Sequence, residues 1–239
     1  KSIETARILI THDRWHHDFL KSQMDLTNTQ VCYLPNATYS QSGIQGSHML
    51  QDRVGEYQRK IILHSGGFGR WFRCRELAQS SKQWNSDYLL VFHLSHQMEG
   101  DPYFDEVYQN KHSNMAFSQE PVGTDELDKL VSSAHVGVAL YSEKDLGYRA
   151  TYMGVAAGKI GNYLKCGLPV IATRLPSLQY LEDFYCGILI DHESEIQTAL
   201  QCIDKNYLEY RQNALHCYRE LWDPEAYICT IEESLLKLS

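Results

Sequence analysis

The sequence has no C-x-x-C pair, no apolar run of the roughly 18 residues a membrane span needs, and no excess of positive charge. Each absence removes a class of protein. Seven cysteines stand at 32, 74, 166, 186, 202, 217 and 229, an odd number with no pairing pattern. They are expected to be reduced, mostly buried thiols in a reducing compartment. Lys and Arg total 22 against 30 Asp and Glu, a net charge of -8. That balance argues against a dedicated duplex-DNA binder, whose phosphate contacts need a basic face, and no nucleic-acid partner is expected, while a small basic pocket for one diphosphate remains open. No signal-peptide pattern opens the chain, so a soluble, cytoplasmic protein is expected. What is present is ordinary: 239 residues, 43% of them hydrophobic, enough for one large domain or one and a half.

Apolar runs alternate with helical spacing along most of this length. Ala6 to Thr11 reads as a strand, Arg14 to about Met24 as a helix, and Gln30 to Tyr33 as a second strand ending in Leu34-Pro35-Asn36. This opening resembles the tail of an upstream α/β domain, so the chain is expected to be a fragment. Residues 37–58 read as a polar linker with one or two helix turns near Met49 to Val54. From Lys60 the order is regular: strands at 61–64, 88–92, 114–117, 136–140, 169–172 and 187–190, with helices at 71–83, 125–134, 158–165 and 178–184 between them. Near-continuous apolar strands joined by helical crossovers predict a parallel sheet covered on both faces. Beyond Glu193 the chain is expected to be helical, broken once at Asp223-Pro224.

Ligands in such sheets bind beyond the carboxyl ends of the strands. Three loops there could carry chemistry. In His64-Ser65-Gly66-Gly67-Phe68-Gly69-Arg70-Trp71-Phe72-Arg73 the glycines either let backbone amides approach an anion, helped by Arg70 and Arg73, or simply make the turn. Gly158-Lys159 opens a second helix as an anion seat. It is a poor P-loop: three residues rather than four separate Gly154 from Gly158, and Ile160 stands where Ser or Thr would hold magnesium. The third loop is Ser118-Gln119-Glu120-Pro121. His12, Asp13, His16, His17 and Asp18 form a weaker candidate, a metal constellation across a strand-to-helix boundary. The 16 tyrosines and Trp71-Phe72 are read as packing.

Gly158-Lys159-Ile160-x-Asn162-Tyr163-Leu164-x-Cys166-Gly167-Leu168-Pro169-Val170-Ile171-Ala172 resembles the donor-site helix and following strand of the group 1 glycosyltransferases, which have the two-domain GT-B architecture. Leu34-Pro35-Asn36 resembles their interdomain linker, and Ile62 to Arg73 the first strand and glycine loop of their second domain. Phe117 to Pro121 and Ser132 to Ser142 resemble later units, so the likeness covers about 60 to 222. The resemblance implies a Rossmann-like α/β fold for 59–222, a remnant of the acceptor domain at 1–36, and a closing helix at 223–239 that returns toward the first domain. It implies donor contacts from Gly66, Gly67, Arg70, Arg73, Glu120, Gly154, Gly158, Lys159, Ile160 and Asn162. Two departures stand out. Gly154 and Asn162 occupy the places of a glutamate pair that touches sugar and ribose, and Phe68 stands where a basic residue is common.

The expected reaction moves a sugar from a nucleotide diphosphate sugar to a hydroxyl. Amides and cations would stabilise the departing diphosphate, with no cofactor and no required metal. The acceptor is expected to be a glycan, a lipid-linked carrier or a small molecule, and any peripheral membrane contact is expected through the first domain. Two alternatives compete. A NAD-dependent Rossmann enzyme would use Gly67-Phe68-Gly69, although Phe72 replaces the last glycine of that fingerprint. A non-catalytic nucleotide-sugar module would suit the missing glutamates.

Overall fold

The computed structural model describes residues 6–36 and 47–237. Two sheets organise them. The first is small: β1 (Ile8–Thr11) and β2 (Gln30–Tyr33) pair in parallel, joined by α1 (Arg14–Gln23). Asp13 caps α1 by accepting the His16 N–H, an arrangement the Asp in Thr11-His12-Asp13 favours. Of the linker expected over 37–58, residues 37–46 lie outside the described residues. The remainder carries α2 (Met49–Val54), which ends on Gly55 in the left-handed conformation at φ 68°.

The second sheet has six parallel strands: β3 (Lys60–Gly66), β4 (Tyr88–Leu94), β5 (Met115–Ser118), β6 (Val136–Ala139), β7 (Val170–Thr173) and β8 (Gly187–Ile190). Their spatial order is β5-β4-β3-β6-β7-β8. This is the doubly wound order, with its switch point between β3 and β6. Between them run α3 (Cys74–Ser81), α4 (Pro102–Gln109), α5 (Thr124–Ser132), α6 (Glu143–Leu146), α7 (Gly158–Lys165) and α8 (Tyr180–Asp183). The chain then closes with α9 (Ile196–Lys205), α10 (Tyr207–Leu221) and α11 (Pro224–Leu236). Alternate strand residues feed opposite faces. Ile61, Leu63, Leu89 and Val91 pack with Ile160, Tyr163 and Trp222 on one side. Ile62, Leu90, Phe92 and Val136 pack with Leu77, Phe104 and Ile203 on the other.

Two departures from the sequence reading have local causes. The single helix expected over 71–83 is split, because Arg73 takes a left-handed φ of 50° between a 3-10 turn at Arg70–Phe72 and α3. That conformation costs a non-glycine residue about 1 kcal/mol or more. The Arg73 guanidinium is held by Glu193, with Nε to Oε1 at 2.5 Å and Nη2 to Oε2 at 2.9 Å, which offsets the cost. Helix α4 escaped the apolar pattern, although its start is written plainly: Asp101 accepts from the Tyr103 and Phe104 amides and Pro102 occupies the first turn. The stretch before α7 is a chain of short turns, Glu143–Leu146, Gly147–Tyr152 and Gly154–Ala156, with no strand among them.

Helix α11 lies against β2, where Gln30 Nε2 donates to Ser234 Oγ at 2.7 Å. It is followed by residues 238–239, outside the described residues. All seven cysteines are free, with Cys202 and Cys229 exposed and the other five buried. No helix among the described residues is long and apolar enough to cross a membrane.

Helix α7 sits unusually close to its neighbours. A Cβ on Gly161 would lie 2.4 Å from Cε3 of the buried Trp222. Gly161→Ala therefore pits a helix-propensity gain of about 1 kcal/mol against roughly 1–3 kcal/mol of overpacking. The ring belongs to a fully buried side chain with little room to retreat, so the variant is expected to unfold at lower denaturant concentration than the parent. An unchanged or raised midpoint would contradict this packing.

Candidate functional site

A cavity of about 420 Å³ opens at the carboxyl ends of β3 and β4, between α5 and α7. Its rim and walls include Gly66, Gly67, Gly158, Lys159 and Asn162, five of the ten residues singled out from the sequence. The N-terminus of α7 faces it, so first-turn amides and the positive end of the helix dipole lie at its edge. Gly66 has φ 99°, which a side-chain-bearing residue rarely adopts, and Gly67 leaves room for Phe72, whose Cε2 would be 2.6 Å from a Cβ there.

Tyr163 fixes how these pieces meet. A Cβ on Gly137 would stand 2.3 Å from the Tyr163 ring, so only glycine lets the ring lie on β6. The β3–β6 ladder ends at Leu63 and Gly137. Beyond it the Ser65 N–H donates instead to the Tyr163 hydroxyl at 2.8 Å, and that hydroxyl donates to the Val138 carbonyl at 3.4 Å. The glycine loop and α7 are thus tied together by one phenol.

Lys159 folds back into the site. Its Nζ lies 3.3 Å from His64 Nε2 and 4.0 Å from the centre of the Phe72 ring. Burial brings its pKa down to about 8. His64 is fully buried, and its Nε2 also lies 2.9 Å from the Gly67 carbonyl oxygen and 3.6 Å from Cys74 Sγ. Burial, with the charge of Lys159 adding to it, holds His64 far below the usual histidine range. Burial likewise pushes the Cys74 thiol up to about 12. The cluster is a neutral imidazole and a protonated thiol around a lysine whose charge is only weakly solvated, and an anion arriving in the cavity would find a cation short of partners.

The other five predicted residues lie elsewhere. Ile160 is wholly buried in the core, and its amide donates to the Ala157 carbonyl at 2.8 Å. Gly154 is buried and gives its N–H to Ser177 Oγ at 3.2 Å. A Cβ there would come within 2.1 Å of Asp13 Oδ2, so the carboxylate of Asp13 fills the space a side chain at 154 would need. Glu120 is exposed, and its carbonyl accepts from Arg53 Nη1 at 2.7 Å. Arg70 and Arg73 line a different cavity of about 570 Å³, together with Arg75, Lys144 and Arg174. There Arg73 is engaged by Glu193, Arg174 by Glu182 and Asp191, and Arg70 lies over the Tyr103 ring at 5.2 Å. The extended backbone at Gly69 and the 3-10 turn after it carry both arginines away from Lys159.

Residues missed by the sequence reading also line the Lys159 cavity: Asn36, Ser65, His93, Ser95, Val122 and Leu127. Asn36 had a signal, since it ends the Leu34-Pro35-Asn36 run. Its Nδ2 donates to the Ala156 carbonyl at 3.0 Å, beside Gly158. The histidine cluster near the start is organised by hydrogen bonds. Asp13 Oδ1 lies 2.7 Å from His16 Nδ1, His12 Nδ1 is 3.2 Å from the Leu34 carbonyl oxygen, and His17 Nδ1 is 3.0 Å from the Tyr33 hydroxyl. Among the described residues no group of three or more His, Cys, Asp or Glu side chains is placed to hold a metal ion. The dinucleotide fingerprint fares no better: Phe72 packs on Gly67 where a last glycine would be needed, and β4 ends in His93-Leu94 without a ribose-binding acid.

No protein-family model matches the sequence, and no curated protein matches it. Solved structures do match. WaaG, a glycosyltransferase involved in lipopolysaccharide biosynthesis, is 20% identical with a TM-score of 0.64, over 95% of this chain and 61% of that one. HepE of Anabaena, in complex with UDP-glucose, is 15% identical with a TM-score of 0.71, over 99% of this chain and 65% of that one. TarM is 15% identical with a TM-score of 0.67, over 98% of this chain and 45% of that one. The protein has the α/β fold of the second, Rossmann-like domain of GT-B glycosyltransferases, with a helical C-terminus. It spans less than two thirds of the length of these structures.

The phenol tie predicts a measurable cost. Tyr163→Phe keeps the ring on Gly137 but leaves the Ser65 N–H without its acceptor, a loss of about 1–3 kcal/mol. Equilibrium unfolding should show that drop, and amide exchange at Ser65 should quicken more than at Leu63. Equal exchange at both amides would show the hydroxyl to be dispensable.

Proposed function

We propose that this chain is the donor-binding portion of a glycosyltransferase that moves a sugar from a nucleoside diphosphate sugar onto a hydroxyl acceptor. The convergence of Lys159, the start of α7 and Gly66-Gly67 on one cavity beside the switch point of a doubly wound sheet carries this reading. The UDP-glucose complex of the HepE neighbour supports it. In the reaction the bond between the anomeric carbon and the diphosphate oxygen breaks as the acceptor oxygen bonds to that carbon. Negative charge then grows on the diphosphate, where Lys159 and the first-turn amides of α7 stabilise it. Asn162, one turn further along α7, hydrogen-bonds the ribose. Residues 1–36 belong with the acceptor-binding half, 59–222 form the donor domain, and 223–239 close back onto the first half. The acceptor is a glycan, a lipid-linked carrier or a small molecule, with any membrane contact made peripherally by that half. Seven free thiols suit a cytoplasmic enzyme of carbohydrate biosynthesis.

Binding should depend on pH through Lys159, whose pKa in the free protein is about 8. A bound diphosphate favours the charged form and raises that value. Below about pH 7 both states are protonated and affinity is level; above about pH 8 binding must take up a proton, so affinity falls as pH rises. Calorimetry with UDP and GDP should show this fall. Lys159→Met should weaken binding by about 1.5–3 kcal/mol and remove the pH dependence. Arg73→Met should leave affinity within about twofold, because its guanidinium belongs to Glu193. A silent Lys159→Met variant beside a damaged Arg73→Met variant would move the site to the other cavity and overturn the proposal.

A further inference from the structure

Asn36 lines the Lys159 cavity although it belongs to neither β3, β4 nor α7. It comes from the segment after β2, where the Leu34 N–H donates to the Thr11 carbonyl at 2.8 Å. Two further hydrogen bonds hold it on the turns before α7. Its backbone N–H donates to the Val155 carbonyl at 3.0 Å, and its Nδ2 donates to the Ala156 carbonyl at 3.0 Å. The fit against α7 is close: a Cβ on Gly158 would lie 3.2 Å from Asn36 Nδ2 and 3.6 Å from its Cγ.

A carbonyl only accepts, so the amide nitrogen is the atom that faces Ala156 and the carboxamide has one orientation. Its Oδ1 is the end left over. That oxygen has no hydrogen-bond partner among the described residues, and it too only accepts. A diphosphate oxygen has no proton to offer it, whereas a hydroxyl has. Asp13, whose Oδ2 accepts from the Val155 N–H at 3.1 Å, adds negative charge to the same turns. This end of the cavity therefore disfavours a diphosphate and suits a hydroxyl. The order along α7 agrees. Asn36 abuts Gly158, Lys159 follows, and Asn162 lies one turn further on. A nucleoside diphosphate sugar carries its diphosphate in the middle. With the diphosphate at Lys159 and the ribose at Asn162, the sugar falls at the Asn36 end.

We infer that Asn36 reads the transferred sugar, its Oδ1 accepting a hydrogen bond from one sugar hydroxyl. Asn36 is then a specificity determinant that the segment after β2 supplies to a site otherwise built by the six-stranded unit. A sugar with a hydroxyl at that position pairs with Oδ1, and one without it leaves the oxygen unpaired once the cavity is filled, which is where the discrimination comes from. This assignment rests on the proposed function and goes beyond it to the residue that selects the sugar and the chemistry by which it does so.

Titration calorimetry at pH 7 tests it, with UDP, GDP, inorganic pyrophosphate, UDP-glucose, UDP-N-acetylglucosamine and GDP-mannose as probes. The readout is the affinity of a nucleotide sugar relative to its own diphosphate. Asn36→Ala also loses the bond to Ala156, and a loosened α7 would weaken both ligands alike, so a purely structural role leaves that ratio where it was. For at least one sugar the ratio should fall roughly threefold or more in Asn36→Ala. Monodeoxy analogues of that sugar give the sharper check. Removing one hydroxyl should cost the parent roughly threefold to tenfold and the variant less than about twofold, the coupling expected of two groups in contact. Ratios unchanged in the variant, no hydroxyl whose removal weakens binding to the parent, or a deoxy penalty of equal size in both proteins would overturn the assignment while leaving the diphosphate site standing. Failure of pyrophosphate, UDP and GDP to bind the parent protein would bring down the proposed function, and the sugar assignment with it.

Discussion

The site depends on the seating of Tyr163. A ring that rests where Gly137 has no side chain, with its hydroxyl between Ser65 N–H and the Val138 carbonyl, joins α7 to the ends of β3 and β6 at the switch point of the sheet. Gly161 against Trp222 sets the opposite side of the helix. These two contacts leave α7 little freedom to slide or roll. The positions of Gly158 and Lys159 relative to Gly66 and Gly67 follow from core packing, so the shape of the cavity they line is set by the same contacts that hold the domain together.

The small β1–β2 unit is tied to the turns that lead into α7. Asp13 accepts from Val155 N–H at 3.1 Å and fills the space over Gly154, the Asn36 N–H donates to the Val155 carbonyl at 3.0 Å, and Phe19 stacks on Tyr148. Each contact falls on the turns that lead into α7. Asp13 thus places its carboxylate where Gly154 carries no side chain.

Much of the fold was legible in the sequence because its strands are short, apolar and punctuated. Pro169-Val170-Ile171-Ala172 could only be a buried strand, and Asp223-Pro224 had to interrupt a helix. The lining of the candidate cavity was legible where backbone chemistry writes it, at Gly66-Gly67 and Gly158-Lys159. It was illegible where placement depends on distant partners. Nothing near Arg73 announces that Glu193, 120 residues later, will take its guanidinium. Ile160 follows Lys159 in the motif yet points into the core, since successive helix residues do not share a face. His93 reads as one more residue of an apolar run until β5 places Ser118 beside it.

Two cavities compete for the role of donor site. One has a single poorly solvated lysine and a helix N-terminus, and the other has five cations, of which Arg73, Arg75 and Arg174 are held by carboxylates. Charge count favours the second and availability of charge favours the first. The most direct test is a crystal structure of the protein soaked with UDP and with GDP. The account predicts a diphosphate between Lys159 and the first turn of α7. A diphosphate bound instead among Arg70, Arg73 and Arg174 would contradict it.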